Sequence, residues 1–166
     1  MKAGEKIFES EALIRFSDCD PFNHLNNSRY IDYFINARED HLLQFHGFNM
    51  YRYAIEKGLS WVVSLSHIAY LKPAFLNETV VIQSTLRELK QKEVWVEMLM
   101  WNKDKTVLKS LFWSMVTHYN LHTKKAEVHS GELHELFKPL ENPFPRAITF
   151  EERLAEIKSK TASEIA

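Results

Sequence analysis

Residues 18–46 read DCDPFNHLNNSRYIDYFINAREDHLLQFH, and the change of character inside this stretch decides the fold. The first part, Asp18 to Ser28, is polar and rich in turn-forming residues. From Ser28 to His46 the pattern becomes helical. Tyr30, Phe34, Ala37, Leu42 and Phe45 return to one face at spacings of three to five, with Ile31 and Ile35 beside them. Asn27 is placed to cap the start and Gly47 to end it. A shorter helix is expected between Asn49 and Gly58.

Outward from this segment the period is two. Residues 7–17, IFESEALIRFS, read as a strand leading into the polar stretch. Residues 61–72, 79–89, 93–102 and 106–120 read as four long strands. In the third, Val94, Val96, Met98 and Met100 alternate with Trp95, Glu97, Leu99 and Trp101. Short connections at 73–78, 90–92 and 102–105 favour antiparallel neighbours. The order strand, loop, long helix, strands predicts an α+β fold with one long helix packed on one sheet. After His129 the pattern weakens: Pro139, Pro143 and Pro145 interrupt it, and 149–160 resembles an amphipathic helix with Thr149 as cap. The expected organisation is one domain over residues 1–130, with 131–166 as a C-terminal appendage.

Composition narrows the function classes. A formal charge of −1 gives no electrostatic footprint for nucleic acid. Cys19 is the single cysteine, so no internal disulfide can form. The N-terminus lacks an apolar signal-like run and no stretch reaches membrane-spanning length, so a soluble cytoplasmic protein with no membrane partner is expected. Four Trp and eleven Phe imply an aromatic core or a large buried interface.

Between Asp18 and Tyr30 lie two carboxylates, an imidazole and three amides, directly before a helix. A carboxylate can serve as nucleophile or as general base toward water. A nearby histidine can orient that water or bond a substrate carbonyl. Free N–H groups at a helix start can hold an oxyanion. A plain turn followed by a helix cap would select many of the same residues.

The pattern Phe16-Ser17-Asp18-Cys19-Asp20, then Asn23-His24-Leu25-Asn26-Asn27-Ser28-Arg29-Tyr30, resembles the catalytic segment of the 4-hydroxybenzoyl-CoA thioesterase-like branch of the hot-dog superfamily. Ile68-Ala69-Tyr70-Leu71-Lys72-Pro73, followed by Glu78-Thr79-Val80, is similar to the family's strand, Pro-containing turn and next strand. The resemblance spans roughly residues 10 to 120. It implies a hot-dog fold, a long central helix wrapped by a curved antiparallel sheet, and hydrolysis of an acyl-CoA or acyl-carrier-protein thioester. Asp20 would be the catalytic carboxylate, acting as nucleophile or base, and His24 the polar partner near the thioester carbonyl. Asn26 and Tyr30 would shape the acyl pocket and anchor the loop. A homodimer or homotetramer is implied, with the site between subunits and residues 63–66 of a neighbouring strand, Ser64 among them, lining it. Coenzyme A would enter as part of the substrate, with no separate cofactor. Two positions depart from the pattern: Asn36 stands where the helix often carries Glu, and Phe22 stands where plant acyl-carrier-protein thioesterases carry Asn.

Rival readings are separable. A hot-dog hydratase or dehydratase resembles Asp-x-Asn-Pro-x-His, with Asp and His five apart; Asp20 and His24 are four apart and Asn-Pro is absent. A non-catalytic acyl-CoA-binding regulator would need a partner-binding module, which the sequence does not show. Asp18 would share a strand face with Asp20. Cys19, without a basic neighbour just before it, reads as packing rather than nucleophile. His118 and His122 have helical metal spacing on a strand pattern, so no metal site is expected. Arg87, Lys90, Lys92, Lys103, Lys105 and Lys109 gather near strand turns, where they could meet coenzyme A phosphates or simply form a solvated rim.

Overall fold

The computed structural model describes residues 6–163. Strand β1 (Phe8–Leu13) leads through a 3-10 turn (Phe16–Asp18) and a loop into the long helix α1 (Tyr30–His46). Helix α2 (Met50–Lys57) follows, then β2 (Leu59–Tyr70), β3 (Thr79–Leu89), β4 (Glu93–Asn102) and β5 (Leu108–Asn120). The two-residue β6 (Lys125–Ala126), α3 (Gly131–Phe137) and α4 (Phe150–Ser163) follow, the last reaching the end of the described residues. The sheet is antiparallel with order β1-β3-β4-β5-β2, so β1 and β2 are its edges, while β6 pairs with the end of β5. Bulges at Val63/Leu65 in β2 and Leu86/Glu88 in β3 add local twist and bend the strands.

Helix α1 lies in the concave face. Tyr30, Phe34 and Ala37 are buried there, and Phe34 stacks on Phe112 of β5 with ring centroids 5.2 Å apart. Leu42, expected on this face, packs partly buried against the core, and its neighbour His41, which the sequence did not place there, is fully enclosed. Its imidazole reaches across to Ser84 Oγ at 2.7 Å and Ser10 Oγ at 2.9 Å, which is how a polar ring is accommodated in the core. Leu133 and Phe137 of α3 join the same core.

The convex face is covered as well. Leu111 and Trp113 of β5 pack with Ile157 of α4, and Trp95 and Trp101 of β4 lie against this cluster. Glu97 of β4 sits beneath this layer, 1% exposed, bonded by Arg87 at 2.6 Å, by Arg153 at 2.9 Å and by the Trp113 indole at 2.8 Å. Burial raises the Glu97 carboxyl, but the Arg153 and Arg87 guanidiniums outweigh it and hold it below its ordinary range. Three of the four tryptophans therefore serve the convex layer. Trp61 instead faces inward, beside His118, Phe48 and Phe137.

Strands β2 and β5, expected at 61–72 and 106–120, run from Leu59 to Tyr70 and from Leu108 to Asn120, and larger differences fall at three further places. The first strand stops at Leu13, because Asp18 N–H and Cys19 N–H bond back to Arg15 and Phe16 in a 3-10 turn. Asp18 and Asp20 therefore do not alternate along a strand. Helix α1 starts at Tyr30 rather than Ser28, and Asn27 is not its cap; Asn26 Oδ1 accepts from Ser28 N–H and Oγ, forming a turn ahead of the helix. Beyond His129, Ser130 caps the unexpected α3 by accepting from Leu133 N–H. Elsewhere the expected residues do their work: Asn49 caps α2, Gly47 and Gly58 end α1 and α2 in the left-handed conformation, and Thr149 forms a capping box with Glu152.

Candidate active site

The loop before α1 is fixed by its backbone. Cys19 and Leu25 form an isolated antiparallel bridge, Asn26 N–H bonds the Asp18 carbonyl at 2.9 Å, and Leu25 N–H bonds the Ala74 carbonyl at 2.8 Å. Asn23 takes a positive φ of 60°, which asparagine tolerates, and this turns the chain between Asp20 and His24. The loop is thereby clamped between the helix start and the β2–β3 connection.

Asp20 and His24 are brought together. Asp20 Oδ1 accepts from Phe22 N–H at 2.9 Å and His24 N–H at 3.2 Å, and Asp20 N–H donates to the His24 carbonyl at 2.8 Å. Oδ2 has no hydrogen bond among the described residues, so one carboxylate oxygen is held and the other is available. The His24 imidazole is not bonded to Asp20; it packs edge-on against Phe75, 4.9 Å between centroids. Tyr30, 2% exposed, accepts the Ala74 N–H on its hydroxyl at 3.1 Å. Burial pushes the Tyr30 hydroxyl above its ordinary range. Tyr70 donates to the Asn27 carbonyl at 2.9 Å. Asn26 is spent on the Ser28 turn.

Ser64 lies apart from this group. It sits at the β2 bulge, donating to the Met115 carbonyl and accepting from Thr117. Asp18 is turned toward the helix flank, where Tyr33 donates to it at 2.9 Å. The Cys19 thiol, bonded to the Arg15 carbonyl, is raised by desolvation and then by Asp18 and Asp20, which keeps it in the unreactive protonated form.

The basic rim also resolves. Arg87 is committed to Glu97, and Lys109 is buried against Glu78 at 2.7 Å, so neither is free to meet a phosphate. Lys103 and Lys105 pair with Glu11 and Glu9 across the surface.

Helix α1 starts without a side-chain cap bond from Arg29, so the first N–H groups of the helix are not taken by a capping side chain. Farther along, a groove of about 260 Å³ runs between α1, α2 and β2, from Ile35 and Arg38 on one wall to Ser60 and Val63 on the other. Arg38, Met50, Trp61 and Val116 also line a neighbouring apolar cavity of about 60 Å³. Sequence reading did not single out Arg38. The available signal was a charge at the Ile35–Arg38–Leu42 spacing, on a flank that is otherwise apolar.

A long helix cradled by a curved antiparallel sheet, with a carboxylate loop at the helix start, defines a hot-dog-fold protein of the thioester-hydrolase class. Solved structures share the architecture. A probable thioesterase of Escherichia coli superposes with a TM-score of 0.69 at 23% identity, covering 81% of this chain and 98% of that one. A Staphylococcus aureus protein crystallised with CoA gives 0.76 at 15% identity, covering 89% and 91%. In sequence, the long-chain acyl-CoA thioesterase FadM of Escherichia coli (strain K12) is 26% identical over 128 residues, 76% of this chain and 94% of that protein. The thioesterase-like superfamily matches residues 14–161. The chain belongs to that family and is a thioester hydrolase.

Proposed function

We propose that this enzyme hydrolyses acyl-CoA thioesters, with Asp20 as the catalytic carboxylate. The observation that carries the residue assignment is the half-held carboxylate: backbone N–H groups fix Oδ1, while Oδ2 stays open at the loop leading into an uncapped helix start. In this reading the thioester carbonyl lies against the first N–H groups of α1, which stabilise the negative charge that develops on its oxygen. Asp20 adds to the carbonyl carbon, or takes a proton from a water that does so. The tetrahedral adduct then collapses with cleavage of the C–S bond, and the thiolate of coenzyme A leaves and takes up a proton that comes from water, directly or by way of Asp20. Where Asp20 itself adds, the acyl–Asp20 anhydride so formed is cleaved by water, which releases the acid and restores the carboxylate. His24, packed on Phe75, lines the approach.

FadM is described as acting on long-chain acyl-CoA, and the Staphylococcus aureus protein holds CoA. Both favour CoA over acyl-carrier protein as the carrier here. The site is read as lying at a subunit interface. Strand β2 is a sheet edge whose outer side is unpaired, and Val62, Val63 and Leu65 are 40%, 51% and 39% exposed along it. Such an edge calls for a partner, and a second copy of the same edge supplies one with closed two-fold symmetry. The α4 layer over the convex face favours a dimer over a back-to-back tetramer. The absence of a membrane-crossing helix among the described residues is consistent with a substrate met in solution.

A panel of acyl-CoAs of short, long and aromatic acyl groups, followed by free-thiol release, tests the activity. An enoyl-CoA followed by absorbance tests hydration in parallel. Thiol release with no hydration is the expected result; hydration without thiol release would assign the chain to the rival chemistry.

A further inference from the structure

The Arg38 guanidinium is a cation with no directly bonded carboxylate among the described residues. It makes no ion pair among the described residues, its Nε is sealed from solvent without a hydrogen-bond partner, and its one polar contact is the Met50 sulfur at 3.8 Å. The residue as a whole retains some exposure, yet desolvation is strong enough to push the guanidinium below its ordinary range. The adjacent Glu39 accepts from the Tyr51 hydroxyl at 2.9 Å and attracts the guanidinium without bonding it, which offsets the desolvation only in part. Arginine cannot shed its proton to relieve this, so an anion that hydrogen-bonds the guanidinium would offset the part of the desolvation that Glu39 leaves uncompensated.

The location of Arg38 suggests which anion. It lines both the groove beside α1 and the neighbouring apolar cavity, and the wall of that cavity carries a second unpartnered nitrogen, His46 Nε2. Arg38 lies eight residues after Tyr30, about 12 Å along the helix axis from the end where the thioester would react. The groove is lined by Ile35, one turn before Arg38, by Met98 and Phe112, and by Glu39 beside Arg38. An acyl chain passing from the helix start into this groove would meet these apolar side chains and reach the guanidinium.

We propose that Arg38 binds a carboxylate at the far end of the acyl group, so that the preferred substrates are mono-CoA thioesters of dicarboxylic acids. The inference rests on the thioesterase reading above and adds its substrate class. Arg38 acts here as a specificity residue; it has no part in the bond-breaking step.

Decanoyl-CoA and the mono-CoA thioester of decanedioic acid differ only at the distal end. The ratio of their kcat/KM values, by thiol release, should favour the dicarboxylic substrate in the wild type. In Arg38→Met the ratio should fall by about ten- to a hundredfold, the size of a charge-assisted hydrogen-bonded pair. A wild type that prefers decanoyl-CoA, or a ratio unchanged in Arg38→Met, overturns the proposal while leaving thioester hydrolysis standing. Thermal stabilisation of the wild type by free decanedioate, set against free decanoate, gives a reading that needs no variant. Greater stabilisation by decanedioate supports the site; equal or lesser stabilisation overturns it. If neither thioester is cleaved, the thioesterase reading fails, and this binding comparison still decides the role of Arg38.

Discussion

Asp20 and His24 hold each other through the backbone: the His24 N–H donates to Asp20 Oδ1 at 3.2 Å, and the Asp20 N–H donates to the His24 carbonyl at 2.8 Å. The pair closes a small loop whose only outlier is Asn23 in the left-handed region. One consequence is that the imidazole is free of the carboxylate and leans on Phe75. His24 thus fixes the position of Asp20 through its main chain and lends its ring to the surface of the site.

Tyr30 ties the helix start to the β2–β3 connection through the Ala74 N–H at 3.1 Å, and both residues are buried. In Tyr30→Phe that N–H is left without an acceptor. A loss of about 1–3 kcal/mol is expected in urea unfolding. Activity should fall further than stability does, because the loop that carries Asp20 hangs from the same connection through Leu25 N–H and the Ala74 carbonyl.

His41 makes stability depend on pH. Desolvation lowers its pKa from 6.5 to about 4, only partly opposed by Asp40 and Glu9. The folded protein then binds fewer protons at this ring than the unfolded chain does. Its contribution is complete above pH 6.5 and is lost as the pH falls toward about 4, to a total on the order of 3 kcal/mol. Urea midpoints measured across this window should drop in the wild type and drop less in His41→Gln. Parallel curves for the two would contradict the assignment.

Glu97 holds Arg87, Arg153 and the Trp113 indole at once, and through Arg153 it fastens α4 to the sheet. Glu97→Ala strands two guanidiniums under the convex layer. A loss of about 3–5 kcal/mol is expected, the usual cost of breaking a buried ion pair from one side. Limited proteolysis should cut first near α4, whereas even cleavage throughout would show that the clamp is not local.

Much of this architecture is legible in the sequence because it rests on periodicity and punctuation. The spacing of Tyr30, Phe34 and Ala37 marks the helix face, Gly47 marks its end, and β3 and β4 begin and end where their alternation does. The turn of the chain at Phe16–Asp18 was hidden, since IFESEALIRFS alternates past the point where backbone bonds close the 3-10 turn. His41 was hidden for a different reason. A buried histidine is expected only when its partners are known, and Ser10 and Ser84 lie on distant strands. In the candidate site, motif order made Asp20 and His24 readable. Arg38 and the commitment of Arg87 and Lys109 to buried carboxylates depend on which charges the fold brings together, which spacing does not encode.

The exposed β2 edge sets the expected assembly. Val62→Lys places a charge on the edge, a substitution that discourages strand pairing. Sedimentation should show a dimer for the wild type and a monomer for the variant, with thiol release falling in step. A variant of unchanged mass would remove β2 from the interface.

The central claim is that the Asp20 carboxylate carries the reaction. Asp20→Asn keeps an oxygen able to accept the Phe22 and His24 N–H bonds, so the loop and the oligomer should survive while nucleophile and base are both removed. Free-thiol release from an acyl-CoA that the wild type hydrolyses is the direct measurement. The account predicts release at the level of the uncatalysed reaction, with sedimentation and melting temperature close to wild type. Wild-type rates in a folded Asp20→Asn would contradict it.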